Sequence, residues 1–156
     1  MSRPTIFLAL LLLGSRVYGW SPIDTVVARE CRQTGVPFAV AERLIASESS
    51  WNPKAVNPND PSVGLAQLQT HLLPWFAHEF NGGKSVDPWD PVVSVVVMIR
   101  YLAWLYARTG TWYWTALAYK SGLYTVTSTS PWGTAVPLQT REISWKVATG
   151  GTDERH

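Results

Sequence analysis

Apolar positions recur at helical spacing along most of this chain, and prolines, glycines and asparagines punctuate them. Ser21 before Pro22 reads as an N-cap and first-turn proline, opening a helix that runs to about Thr34 and is stopped by Gly35. Pro37 introduces a second helix, Phe38 to about Ser49. Its stripe Phe38, Ala41, Leu44, Ile45, Glu48 falls on one face. The pattern then gives way to Trp51-Asn52-Pro53 and Asn57-Pro58-Asn59-Asp60-Pro61. So many prolines and asparagines exclude helix and central strand, and the spacing predicts an ordered loop with room for a small hairpin. A third helix is expected over Ala66 to Phe80, broken or restarted at Pro74, followed by a turn at Asn81-Gly82-Gly83.

Asp90-Pro91 is a cap followed by a first-turn proline. The run Val92 to Ala107 is apolar almost all round. Its length exceeds a typical strand, and Arg100 and Arg108 oppose a membrane span, so the pattern predicts a central buried helix. Trp112 to Lys120 makes another helix after Gly110. Ser121 to Pro137 reads as a long loop with a short extended piece at Tyr124 to Thr127. Leu138 to Ala148 is a last helix, and 149–156 is expected to be a mobile tail. No internal repeat is visible. The expected fold is mainly α, with one conspicuous loop after the helix that carries Glu48.

The first residues look like a secretory signal peptide. Arg3 precedes an apolar run, Ile6 to Leu13, too short to span a bilayer, and Val17 and Gly19 are small enough for a cleavage site before Trp20. Residues 1–19 are therefore expected to be removed on export, an uncleaved anchor being the alternative. Residues 20–156 are expected to form one domain with a full core. A net charge of +2 with 15% charged residues suits a mildly anionic polymer, and no basic cluster suggests nucleic acid. Cys31 is the only cysteine, so no intrachain disulfide can form, and a lone thiol on an apolar helix reads as buried filler. His71 and His78 stand two helical turns apart without a supporting cluster, and no metal or cofactor is implied. Nine tryptophans are many for this length. Core packing accounts for most of them. Trp51 and Trp75, flanking the loop, are candidates to stack on the apolar faces of sugar rings.

The chemistry points to Glu48. A carboxyl group at the end of an apolar face loses solvent, which disfavours its charged form, and a protonated acid is what sugar cleavage requires. On the stripe alone, an ordinary exposed glutamate is the simpler reading. Downstream, however, come Ser62-Val63-Gly64-Leu65-Ala66-Gln67 and then Ala118-Tyr119-Lys120-Ser121-Gly122. A glycine after a small polar residue lets backbone approach closely, and Gln67 offers a donor and an acceptor. Each element alone is weak. Together with Glu48-Ser49, Asn52-Pro53-x-Ala55, Asp90-Pro91 and Tyr101-Leu102, in this order, they resemble the lytic transglycosylase family with the soluble-lytic-transglycosylase (SLT) catalytic domain.

That resemblance covers most of 38–122. It implies a lysozyme-like, goose-type α-helical domain acting on peptidoglycan strands, as a monomer in the periplasm, outside the cell or from a phage. It implies cleavage between N-acetylmuramic acid and N-acetylglucosamine with a 1,6-anhydro product. Glu48 corresponds to the catalytic acid/base, Ser62 to a contact with an N-acetyl group, Gln67 to a groove glutamine and Tyr119 to a tyrosine near the catalytic glutamate. Gly64, Lys120 and Trp51 join the expected substrate-binding set. Two positions depart from the pattern: Ala66 stands where Met is usual, which would widen the groove floor, and Lys120 where Asn is usual. A lysine facing Glu48 would favour its carboxylate over the protonated acid, whereas one facing solvent would change nothing. Two rivals remain: a lysozyme-type hydrolase using Asp60 as second carboxylate, and a glycan-binding or assembly protein that has lost turnover through Lys120.

Overall fold

The computed structural model describes residues 21–128 and 136–151. The expected signal segment, part of the Ser121 to Pro137 loop and the last five residues lie outside the described residues. Helix α1 (Pro22–Thr34) begins as the sequence dictates. The Ser21 hydroxyl accepts from the Asp24 N–H, and the Asp24 carboxylate accepts from the Ser21 N–H at 2.7 Å. Helix α2 (Phe38–Ser49) buries Val40, Ala41, Leu44 and Ile45. Helix α4 (Pro91–Thr109) is capped by Asp90, which accepts from the N–H groups of Val92 and Val93.

Between α2 and α4 the turn-rich segment folds into an antiparallel hairpin. Strand β1 (Ser62–Val63) pairs with β2 (Leu68–Gln69), Ser62 opposite Gln69 and Val63 opposite Leu68, and Val56 adds a bridge to Val63. A 3-10 turn, Thr70–Leu72, leads into α3 (Leu73–Phe80). Helices α5 (Trp112–Ser121), α6 (Leu123–Ser128) and α7 (Leu138–Thr149) follow.

Two expectations change here. Ala66 to Phe80 is not one helix. Gly64 and Gln67 take positive φ, 80° and 51°, and close a hairpin turn instead of starting a helix. The helix starts at Leu73, with Pro74 in its first turn, where the missing N–H has no helical partner to lose. The piece Tyr124 to Thr127 is helical, not extended: it lies within α6, and the Thr127 hydroxyl donates to the Leu123 carbonyl at 3.0 Å. No described strand lies beside it, and an extended segment without a ladder leaves its backbone groups unpaired.

Helix α4 is the axis of the core. Val95, Val97, Met98, Ile99, Leu102 and Leu105 are fully buried, with α1, α3 and α5 packed around them. It is long and apolar enough to cross a membrane by length and composition, and 44% of its most apolar window is buried inside this fold, against α1, α3 and α5. Trp75 packs among Phe80, Tyr101 and Trp104 at 5.2–5.6 Å between ring centres, an edge-on cluster that makes it a packing residue. Cys31 is buried on α1, and its thiol is pushed up to about 11 by burial and then by the charge of Glu30, which suits filler.

Two polar ties fix the helices that frame the site. Arg43 on α2 donates from Nε to the Val147 carbonyl at 2.8 Å and from a terminal nitrogen to that of Ala148 at 3.2 Å, capping the end of α7. Glu30, 2% exposed on α1, accepts from Arg29 and from Arg100 Nε at 3.1 Å, while Arg100 also donates to the Phe80 carbonyl. This joins α1, α3 and α4. Glu30→Ala is expected to cost about 2–3 kcal/mol in urea unfolding. That is below the ~3–5 kcal/mol of a fully buried pair, because the Arg100 side chain, 39% exposed, can turn to water. An unchanged midpoint would show the tie to be incidental.

Candidate active site

Glu48 sits in the last turn of α2, its side chain 15% exposed. The helix ends abruptly behind it. Ser50 and Trp51 are successive non-glycine residues at positive φ, 52° and 65°, a conformation that costs each about 1–3 kcal/mol. Trp51 offsets part of this by packing its ring against the core, which holds the turn and therefore the end of α2.

Facing Glu48 is the end of α5. The Lys120 ammonium donates to Glu48 Oε1, and the Lys120 side chain is 12% exposed, so the pair is largely shielded from water. Lys120 therefore points at the glutamate. Tyr119, one residue earlier, donates its hydroxyl to the Ala66 carbonyl at 2.7 Å. Its pKa is raised well above the usual phenol range, first by burial and then by the negative charge of Glu48 and by Tyr101. Tyr119 is thus a neutral donor and not a base.

The hairpin turn is clamped from both sides. The Ala66 N–H donates to Ser94 Oγ of α4 at 3.2 Å, and its carbonyl receives Tyr119 of α5. Ala66 itself is fully buried and is not among the residues that line the cleft. Gly64 lies against the 84–90 segment so closely that a Cβ would stand 1.9 Å from the Pro88 carbonyl oxygen. Gln67 donates from Nε2 to the carbonyls of Ala55 and Gly64, at 3.1 and 2.9 Å. Two carbonyl partners fix the amide orientation. Both amide hydrogens are spent on backbone, so Gln67 can offer the cleft only its Oε1 acceptor.

These elements border a cleft of about 420 Å³. Glu48, Tyr119 and Lys120 line it, as do Ser62 and Gln67 of the hairpin. Gly64 and Trp51, also expected at the substrate, do not line it; they shape the hairpin and the end of α2. Asp60 borders the cleft, with its carboxylate accepting from the Ser62 N–H and from the Asn57 amide, both at 2.8 Å, as a turn former does. The sequence did not single out Asn57, Gln69 and Leu72 near the hairpin, nor Thr140 and Ile143 of α7, which complete the wall. Asn57 stood in a recognisable turn. The α7 residues carried no signal, because only the packing of α7 on α5 and α2 brings them here.

Among known protein families, Transglycosylase SLT domain matches residues 26–130. The fold is similar to the crystal structure of the 70 kDa soluble lytic transglycosylase SLT70 from Escherichia coli. The TM-score is 0.69, with 21% identity over 80% of this chain and 22% of that one. A complex of the 70-kDa soluble lytic transglycosylase with bulgecin A matches with the same values. This chain spans about a fifth of the length of those structures, and the likeness at such identity is one of fold, the helical lysozyme-like domain. No curated protein sequence gives a match.

Proposed function

The chain belongs to the Transglycosylase SLT domain family, and on that footing we propose that it is a peptidoglycan lytic transglycosylase with Glu48 as its acid/base. The observation that carries the reading is the position of Glu48: a shielded carboxyl group lining a cleft between the hairpin and α5. In this reading the cleft takes the glycan strand of the cell wall. Protonated Glu48 gives its proton to the oxygen between N-acetylmuramic acid and N-acetylglucosamine, and the bond from that oxygen to the anomeric carbon breaks. The muramic 6-hydroxyl attacks the anomeric carbon and returns a proton to the Glu48 carboxylate. Water is not consumed, and the muramic end closes as a 1,6-anhydro ring. One carboxyl group does both jobs because the substrate supplies the nucleophile.

In the same proposal Ser62 and the Gln67 acceptor meet N-acetyl and hydroxyl groups, while Tyr119 holds the hairpin to α5. The domain comprises residues 20–156 and works as a monomer outside the cytoplasm, where its substrate lies, after loss of residues 1–19.

Asp60 borders the same cleft and keeps a second reading in view, that of a hydrolase. Such enzymes set two carboxyl groups about 5–5.5 Å or about 6.5–9.5 Å apart around the bond. The test is a mass spectrum of the muropeptides released by wild type and by Asp60→Asn. The expected result is anhydro-muropeptides, each lighter by one water than the hydrolytic product, and near-wild-type release by Asp60→Asn. Reducing ends from the wild type together with an inactive Asp60→Asn would establish the hydrolase instead.

A further inference from the structure

We propose that Lys120 reads a carboxylate on the incoming glycan and that, by transferring to it, its ammonium releases Glu48 for acid work. The inference rests on the lytic transglycosylase reading and adds a substrate requirement to it. Its basis is a conflict within the site. In its ion pair with the Lys120 ammonium Glu48 is a carboxylate, the form that has no proton to give to a leaving oxygen. Turnover therefore requires the ammonium to leave or to be drawn elsewhere.

The cleft itself says what draws it. Among the described residues lining it, Lys120 is the one cation, against two carboxyl groups, Glu48 and Asp60. Tyr101 and Tyr119, the other ionisable groups on its wall, are both pushed towards the neutral phenol by burial. An anion entering this cleft has a single favourable partner. An ammonium has three N–H donors, one of which goes to Glu48 Oε1, and its flexible stem is placed beside Ser121 and Gly122, which also face the cleft. A bound carboxylate that takes the ammonium leaves Glu48 shielded and without its counter-charge. Glu48 then takes a proton from solvent, and the net charge of the filled cleft is unchanged. Anion binding and the arming of the acid become one event. A neutral glycan leaves the pair closed.

The carboxylate has two sources on a cell-wall strand: the lactyl group of muramic acid once its peptide is removed, or the carboxyl groups of the peptide stem. The experiment measures kcat/KM on three substrates. These are stem-free strands with free lactyl carboxylates, the same strands methyl-esterified, and intact peptidoglycan, in which the lactyl carboxyl is an amide and only stem carboxylates remain. The wild type is expected to favour a carboxylate-bearing strand over the ester by about 10- to 100-fold, the worth of a hydrogen bond to a charged group. The preferred source is whichever of the two charged substrates is cleaved faster. Lys120→Gln should bring the ratio close to one, and Lys120→Arg should keep most of it, a pattern that general damage to the fold would not give. Calorimetry in buffers of different ionisation enthalpy should show proton uptake when the wild type binds the charged strand, and none for Glu48→Gln. If Lys120→Gln does not fold, the wild-type substrate comparison and the proton uptake decide. Equal cleavage of ester and carboxylate by the wild type, or a preference that survives Lys120→Gln, overturns the inference and leaves the lytic transglycosylase reading standing. A wild type that cleaves none of the three overturns that reading, and the inference falls with it.

Discussion

Glu48→Gln is expected to lower cell-wall cleavage by about 10²–10⁴-fold, the usual worth of a positioned general acid/base. The substitution preserves shape and removes the transferable proton. It also changes the partner of Lys120, but the glutamine carbonyl can still accept from the ammonium, so only the charge contribution is lost. Stability should fall by no more than about 1–2 kcal/mol. A turbidity assay on cell walls, with urea unfolding on the same preparation, separates the two effects. Near-full activity in the variant would remove Glu48 from the chemistry altogether.

Gly64→Ala is expected to be the most damaging single change to the fold near the site. Its added Cβ would stand 1.9 Å from the Pro88 carbonyl oxygen and 3.0 Å from the Pro88 carbonyl carbon, backbone atoms that no rotamer change can move. The position also has φ +80°, which alanine tolerates poorly. Backbone strain of about 1–3 kcal/mol and overpacking of about 1–3 kcal/mol together predict a loss of about 2–6 kcal/mol. Activity should fall with it, because Gln67 hangs from the Gly64 carbonyl and Ser62 lies on the paired strand. Gly35→Ala is the control. It has a similar φ of +78° at the end of α1, with nothing within 4 Å of the new Cβ, so only the backbone cost of about 1–3 kcal/mol applies, without the overpacking. Equal urea midpoints for the two variants would show that contact with Pro88 does not matter.

Much of the helical frame was legible without coordinates, for identifiable reasons. Ser21-Pro22 and Asp90-Pro91 are local signals that act within one turn, and both helices start there. Gly35 and Gly110 stop α1 and α4 at positive φ, as local rules require. The stripe ending at Glu48 was readable because helical periodicity alone sets which residues share a face. Where the local pattern misled, a contact distant in sequence was responsible. Ala66 to Phe80 looked helical, but Ser94 and Tyr119 hold the Ala66 backbone in a turn from two other helices. Trp75 looked like a sugar platform from its place beside the loop, yet its neighbours Tyr101 and Trp104 come from α4.

The sequence by itself determined most of the helices, the caps at Ser21 and Asp90, the turn-rich insertion after α2 and the short set of residues able to carry acid chemistry. These depend on neighbours a few positions away, whose energies are readable from residue type. Only the tertiary structure decided what those residues do to one another. Whether Lys120 met solvent or Glu48 depended on how the last turn of α5 is placed relative to the end of α2, and the fold settled it as an ion pair across 72 positions of sequence. Whether Gln67 brought a donor to the cleft depended on where the Ala55 and Gly64 carbonyls lay, and they take both of its amide hydrogens. The cleft wall from α7 likewise exists because Arg43 and the core fix that helix against α2. Such outcomes are set by packing between distant segments, where a shift of one helix by a single turn would exchange every partner in the site.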